Sequence, residues 1–271
     1  MSRKGKLKVT LIGSAGRMGV SITQVLSKSE KSELFAAVEH EKSPLIGKDI
    51  GIHAGLGEIK KFYTSSQEDA ISEGDVIIDF STAENSKKVL DLAVKHGKPL
   101  VIGVTGLEED FLQKIREASV SIPILQSPNM SVGVNLLFKL AEMTARVLGD
   151  DYDIEILDIH HRHKKDSPSG TAMRLKEVLL STLGRGEENV IYGRHGKEYG
   201  ERDKREIAVH SMRAGEVVGD HTAYFFSADE AIEISHKARD RRTFAVGAVK
   251  AAEFVSEQKI GSFHMFDVLG L

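Results

Sequence analysis

Cysteine is absent from the 271-residue sequence, which excludes disulfides, thiolate metal ligands and a thiol nucleophile. A surplus of either charge is absent too, since 37 Lys and Arg stand against 40 Asp and Glu. A general nucleic-acid binder would carry a basic excess, so nucleic acid is not an expected partner. No apolar run approaches the ~18 residues that a helix needs to cross a bilayer. The basic start, Met1 to Lys6, leads into a short strand-like run ending in glycines. That is not the apolar segment and small-residue cleavage site of a signal peptide, so a cytoplasmic location without membrane attachment is expected. Internal repeats and low-complexity tracts are missing as well. What is present is 41% hydrophobic residues, enough to bury a core, in a chain long enough for one large or two smaller domains.

The first half alternates strand and helix patterns. Leu7, Val9, Leu11 and Ile12 predict a strand, and Met18, Ile22, Val25 and Leu26 recur at helical spacing. Further strands are predicted at 34–39, 75–80, 100–104 and 122–125, with helices around Val89 to Ala93 and Phe111 to Ile115. Such alternation implies an α/β domain of Rossmann type with a doubly wound parallel sheet. After about residue 130 the pattern changes. A long helix carries Val134 to Leu148, and strand patterns near 152–160, 205–213, 216–226 and 230–237 surround one helix after Gly170. Consecutive strands suggest a second α+β domain on a mixed or antiparallel sheet. Residues 184–204, with five glycines and ten charged residues, read as an exposed, mobile loop. A last helix near 241–257 returns to the first domain. The expected boundaries are therefore 1–130 plus 241–271 for a dinucleotide-binding domain, and 131–240 for substrate binding and oligomerisation.

Between the first strand and helix lies Gly13-Ser14-Ala15-Gly16-Arg17-Met18-Gly19. Glycines there let the backbone turn sharply and approach a pyrophosphate, which the free N–H groups and dipole of the helix start would hold. The spacing is Gly-x-x-Gly-x-x-Gly, with Ala15 at the middle glycine of the usual fingerprint. A ligand-free strand-to-helix turn is the plain alternative. Glu39, 20 residues past Gly19 at a strand end, could accept hydrogen bonds from an adenosine ribose, or be an ordinary solvated carboxylate. His40 and Glu41 follow it. An imidazole beside a second acid is a poor partner for a 2′-phosphate, so NADH or mixed NADH and NADPH use is expected. Gly103-Val104-Thr105 and Ser127-Pro128-Asn129-Met130 fall at the carboxyl ends of buried strands, where open α/β sheets bind ligands.

The stretch from Asp158 to Thr171 is the most informative. All six residues from His160 to Lys165 can be cationic, directly after a strand. Three readings compete. A metal site would use His160, His161 and His163, but these have no helical i, i+4 spacing and strand neighbours face opposite sides. A solvated basic loop is the plain reading. An anionic-substrate site is the third: Ser169-Gly170-Thr171 opens a helix whose first N–H groups can bind a carboxylate, and histidine supplies a proton donor that titrates near neutrality.

Together, the Gly-Arg-Met-Gly loop, the run His160-His161-Arg162-His163-Lys164 and Pro168-Ser169-Gly170-Thr171-Ala172 resemble the dihydrodipicolinate reductase family. So do Ser131 to Asn135, Arg213-Ala214-Gly215 and Gly219-Asp220-His221-Thr222. The resemblance implies an NADH- or NADPH-dependent oxidoreductase of diaminopimelate and lysine synthesis. Its substrate would be a small cyclic dicarboxylate, 4-hydroxy-tetrahydrodipicolinate, which loses water and takes hydride at C4. It further implies His160 as proton donor or acceptor and Lys164 as proton donor, with His161, Gly170 and Thr171 on the substrate carboxylates. Gly13 to Met18, Glu39, Gly103 to Thr105 and Ser127 to Met130 would line the cofactor crevice, and no metal is implied. A homotetramer assembled through the second domain's sheet is the family expectation. Hinges near Asn129 and Asp240, where the chain crosses between domains, are expected to allow closure. A related aspartate-type amino-acid dehydrogenase and a non-catalytic NADH sensor are the alternatives.

Overall fold

The computed structural model describes residues 5–197 and 199–271. The chain separates into two compact units, Met1–Val132 with Arg241–Leu271, and Gly133–Asp240.

The first unit begins β1 (Leu7–Ile12), α1 (Arg17–Leu26), β2 (Ser32–Val38), α2 (Ile50–His53), β3 (Tyr63–Thr64) and α3 (Gln67–Glu73). It continues with β4 (Val76–Asp79), α4 (Ala83–Lys95), β5 (Leu100–Ile102), α5 (Glu109–Ala118) and β6 (Pro123–Gln126). From Val132 to Leu148 runs α6. The second unit then holds β7 (Asp153–His160), α7 (Gly170–Leu183), β8 (Val190–Ile191), β9 (Ile207–Arg213), β10 (Gly219–Phe226) and β11 (Ala231–Ala238). The chain returns to the first unit as α8 (Arg242–Val255), β12 (Gly261–Phe263) and α9 (Met265–Leu269).

Seven parallel strands of the first unit lie in the order β12-β6-β5-β4-β1-β2-β3. From β1 the chain builds outward one way through β2 and β3, then crosses to β4 and builds the other way. The switch point therefore falls between β1 and β4, where such sheets bind ligands. Both faces are covered. Val9, Leu11, Val76, Ile78, Val101 and Leu125 pack with Ile22 of α1 and Ala245, Ala248 and Ala252 of α8. The alternate residues Ile77, Leu100, Ile102 and Ile124 pack with Val89, Leu90, Phe111 and Ile115 of α4 and α5. The period-2 alternation of side chains thus sends one strand into two cores, which is why these strands read as unbroken apolar runs.

The second unit is a mixed five-stranded sheet, β11-β10-β7-β9-β8. Neighbours β11, β10 and β7 are antiparallel, whereas β9 runs parallel to β7 and to β8. Helix α7 packs on β7, β9 and β10. Ser169 caps it by accepting from the Ala172 N–H at 3.2 Å, and Gly184 at φ +60° ends it. The segment 184–204 is more than the loop that its composition suggests, since it contributes β8. Arg185 Nη2 meets Asp150 at 2.6 Å and Glu187 meets Lys176 of α7 at 2.5 Å. Composition hides this because the pairing partners lie elsewhere in the chain.

Candidate functional site

In the first unit, β1 leads through residues 13–16 into α1. Gly13 has φ +73°, and a Cβ there would lie 2.6 Å from the Phe80 carbonyl oxygen. A Cβ on Gly19 would strike the Ser14 backbone. These two glycines are demanded by the fold itself. Gly16 is different, because a Cβ would meet nothing closer than Gly13 O at 3.4 Å. The start of α1 is also unsatisfied from within: Gly16 offers no side-chain cap, no acid lies in the first turn, and Arg17 adds a positive charge. A helix N-terminus in that state favours an anion. Ser14 is fully buried and bonds Val38 O at 2.9 Å, so its side chain serves the turn. Glu39 accepts from the Ala15 N–H at 2.9 Å and the His40 N–H at 3.0 Å, leaving lone pairs for a hydroxyl donor.

Two clefts open at the carboxyl ends of β1, β4, β5 and β6. One of about 290 Å³ is lined by Gly13, Gly16, Glu39 and His40. The other, about 430 Å³, is lined by Met18, Gly103, Val104, Thr105, Pro128, Asn129 and Met130. Phe80, Ser81 and Thr82 line both. Ser127 is buried behind the second cleft and bonds Asn129 O at 2.8 Å, which shapes that turn. Ala15, Arg17 and Ser127 are not among the lining residues of either cleft, although Ala15 and Arg17 flank Gly16 in the loop. The segment Phe80 to Thr82 was missed in the sequence, as were Gln67 and Asn85 in the smaller cleft and Phe244 in the larger. For the first, the carboxyl-end rule applied to β5 and β6 holds equally for β4. Asp79 builds this turn: it is fully buried and accepts from the Ser81 N–H at 2.9 Å and from the Ser81 and Ser86 hydroxyls, each at 2.6 Å. Burial pushes its carboxyl up from the ordinary range, against the pull of those bonds.

The second unit gathers a different group at the end of β7. His160 is 8% exposed, and its Nδ1 lies 2.7 Å from Asp158 Oδ1. Oδ1 is also 3.3 Å from His221 Nε2, which in turn lies 3.0 Å from the Ser169 hydroxyl. The other oxygen, Oδ2, accepts from the Ser169 N–H at 2.9 Å, Arg213 Nη2 at 3.1 Å and the Ser211 hydroxyl at 3.3 Å. Complete burial alone would raise the Asp158 pKa. The nearby His160 and His221 rings, with the Ser169 N–H bond, overcome that and hold it well below the usual carboxylate range. Lys164, three-quarters buried, pairs with Asp166 Oδ2 at 2.9 Å and lowers that acid's pKa. His161 is half-buried in the same loop, with its Nδ1 buried and unpartnered. Gly170 and Thr171 open α7, whose first turn carries no acid.

Sequence reasoning placed His160, Lys164, His161, Gly170 and Thr171 here but missed Asp158, His221, Arg213 and Ser211 as partners. Asp158, His160 and His221 offer ligand atoms within 4.8 Å of one another, a trio unlike the 160/161/163 set weighed from the sequence. Arg213 on the same carboxylate opposes a dication there.

Sequence profiles of the two halves of dihydrodipicolinate reductase match the chain, the N-terminus at residues 7–130 and the C-terminus at 133–269. The 4-hydroxy-tetrahydrodipicolinate reductase of Desulfotalea psychrophila is 46% identical over 265 residues, 97% of this chain and 98% of that protein. The enzyme of the same name from Syntrophus aciditrophicus is 44% identical over the same shares. A solved dipicolinate-bound dihydrodipicolinate reductase from Paenisporosarcina sp. TG-14 has a TM-score of 0.78 at 22% identity, covering 97% of this chain and 99% of that one. Aspartate semialdehyde dehydrogenase II of Vibrio cholerae shares the fold at TM-score 0.55 and 11% identity, over 92% of this chain and 98% of that one. The chain belongs to the dihydrodipicolinate reductase family, the oxidoreductases that act on 4-hydroxy-tetrahydrodipicolinate in lysine and diaminopimelate biosynthesis.

Proposed function

We propose that the glycine-loop clefts of the first unit bind NADH or NADPH, and that the loop after β7 binds the cyclic dicarboxylate and handles its protons. The observation that carries the second half is His160 beside the fully buried Asp158, next to the start of α7. The observation that supports the first is Gly16, glycine without a demand from the fold, at a helix start lacking its own anion.

In this reading the Arg17 and Met18 N–H groups hold the pyrophosphate, and Glu39 accepts from the ribose with its spare lone pairs. Gly103 to Thr105 and Ser127 to Met130 shape the wall of the larger cleft. When bound, the reduced nicotinamide supplies the hydride that goes to C4 of the ring. The N–H groups of Gly170 and Thr171 and the His161 ring bind the substrate carboxylates. His160 gives or takes a proton through Nε2, and Lys164 donates a second one once it loosens from Asp166. Water leaves from the 4-hydroxy compound, and one hydride and one proton complete tetrahydrodipicolinate. Neutralising the developing charge in this way is worth about 10² to 10⁴ in rate.

Leu157, Ile159, Met212, Tyr224 and Phe226 lie on the sheet face opposite that of Asp158 and His160, none of them fully buried, with Met212 49% exposed. Register puts Glu155, His210, Asp220 and Glu233 on the same face, so it is mixed apolar and charged. A homotetramer assembled through the second unit would pack on it, which sedimentation velocity would read directly. No helix among the described residues is long and apolar enough to cross a membrane. A cytoplasmic location is the reading that fits this pathway.

The test is a coupled assay in which pyruvate and aspartate semialdehyde generate fresh substrate, with coenzyme oxidation followed optically. Oxidation that needs every component is expected, with kcat/KM for NADH equal to or above that for NADPH because Glu39 and Glu41 repel a 2′-phosphate. A preference for NADPH of about a hundredfold would overturn the coenzyme assignment.

A further inference from the structure

We infer that Asp158 is a positioning residue that fixes the tautomer and direction of the His160 ring, with His221 and Arg213 holding the carboxylate in place. The inference rests on the reading of His160 as a proton-handling group. It is carried by the arrangement of three strands, β7, β9 and β10, around one buried charge.

Sheet register builds the arrangement. Asp158 on β7 sits beside Ser211 on β9 and beside His221 on β10, and His221 sits beside His236 on β11. One polar row therefore crosses the sheet, with the only acid of the row at Asp158. His160 is two residues further along β7 on the same face. A fully buried carboxylate is costly, so each of its oxygens needs a reason. Oδ2 has a structural one. Arg213 spans from it to the Asp166 carbonyl oxygen, 2.7 Å away, and the Ser169 N–H joins it at the start of α7, so Oδ2 ties down the loop 161–169. Oδ1 has no such duty. It faces two imidazoles, His160 Nδ1 and His221 Nε2, whose rings pack edge-on with centroids 5.1 Å apart.

An ionised carboxylate only accepts hydrogen bonds, so the nitrogen it touches must carry the proton. His160 is thereby held as the Nδ1–H form, with the lone pair on Nε2. The approach at 2.7 Å is bent from the line of the ring N–H, and the soft χ2 torsion of histidine permits the straightening. Gly219 completes the arrangement from the other side. A Cβ there would stand 2.9 Å from His160 Nε2, so its absence gives that nitrogen room. One nitrogen faces the carboxylate and the other is kept clear. Asp158 acts through His160 and touches no reacting atom.

The test uses the full-length protein with histidine labelled in its ring nitrogens, with the His160 resonances assigned by their loss in His160→Gln. In the unmodified protein with the ring neutral, Nδ1 should carry the proton and Nε2 should not. Asp158→Asn, which keeps shape but offers a donor in place of an acceptor, should mix or invert the tautomers. It should lower kcat by about 10-fold or more while leaving KM for the coenzyme unchanged. Asp158→Glu, which keeps the charge, should regain part of the loss. Finding Nε2–H in the unmodified protein overturns the proposal without any variant, so poor folding of Asp158→Asn does not shelter it. An Asp158→Asn protein with the original tautomer and kcat overturns it too. Full kcat in His160→Gln would instead overturn the role given to His160, while the tautomer still decides what Asp158 does.

Discussion

In the seven-stranded sheet, β4 and β5 are buried at every position, whereas β7 in the five-stranded sheet alternates buried and half-buried residues. The first sheet has helices on both faces, so its strands have no side chain to spare for a ligand. Its chemistry is confined to strand ends, where a turn, a helix start and a few backbone N–H groups form the clefts. The second sheet places polar groups on the strands themselves. Asp158, His160 and His221 stand on one face, where rigid neighbours fix their directions better than a loop would. In the proposed function, one unit holds a ligand with its backbone and the other moves protons with its side chains.

The largest effect should come from crossing these two designs. His160→Gln is expected to lower kcat by about 10² or more and leave the coenzyme dissociation constant unchanged. Gly16→Val is expected to abolish coenzyme binding, because its branched side chain would occupy the approach to the start of α1. The nearest backbone atom to the new Cβ is 3.4 Å away, so the fold survives. Gly19→Val would instead drive its Cβ into the Ser14 backbone and unfold the first unit. Coenzyme titration of each variant, with circular dichroism to confirm folding, separates the three outcomes. Equal loss of coenzyme binding in His160→Gln and Gly16→Val would erase the division of labour.

Much of this was legible before the fold. Unbroken apolar runs identified β4 and β5, and a strand pattern near 152–160 identified β7. The glycine loop and the histidine–lysine run declared themselves because their residues are contiguous. Asp158's partners did not, since His221 and Arg213 lie 63 and 55 residues away and only sheet register brings them to one carboxylate. Phe80 to Thr82 were passed over for a different reason: they follow the buried strand β4 as Gly103 to Thr105 follow β5, and the carboxyl-end rule was not carried to them.

A smaller effect should separate the two units by pH. His236, beside His221 on the polar row, has its pKa lowered by burial first and by the charge of His221 second, with Asp220 opposing. The folded second unit therefore disfavours a protonated ring that the unfolded chain accepts. Its stability contribution is complete above the unfolded pKa, near 6.5, and is lost as pH falls below it. Hydrogen exchange in β10 and β11 should accelerate between pH 7 and about 5.5 relative to the β4 and β5 amides. His236→Gln should flatten that trend. An unchanged pH dependence in the variant would assign the loss to other groups.

The smallest effect tests the first unit's rule that its sheet has no polar side chain to spare. Tyr63 on β3 is 2% exposed, and its hydroxyl is buried without a hydrogen-bond partner among the described residues. The ring packs edge-on against His53 at 5.9 Å, so packing explains the aromatic but not the oxygen. Tyr63→Phe keeps the ring and removes the orphan, and should stabilise the unit by about 1 kcal/mol at neutral pH. Burial, followed by the negative charge of Glu39, pushes the phenol up to about 12. Because that lies above the unfolded value of about 10, the associated stability is present below pH ~10 and is lost as pH rises through ~12. Urea midpoints at neutral and alkaline pH should therefore show Tyr63→Phe more stable at pH 7 and free of this alkaline component. A less stable Phe variant at pH 7 would mean that the hydroxyl is bridged by a buried water, most directly to Glu39, and that this edge of the cofactor unit spends a side chain on its ligand after all.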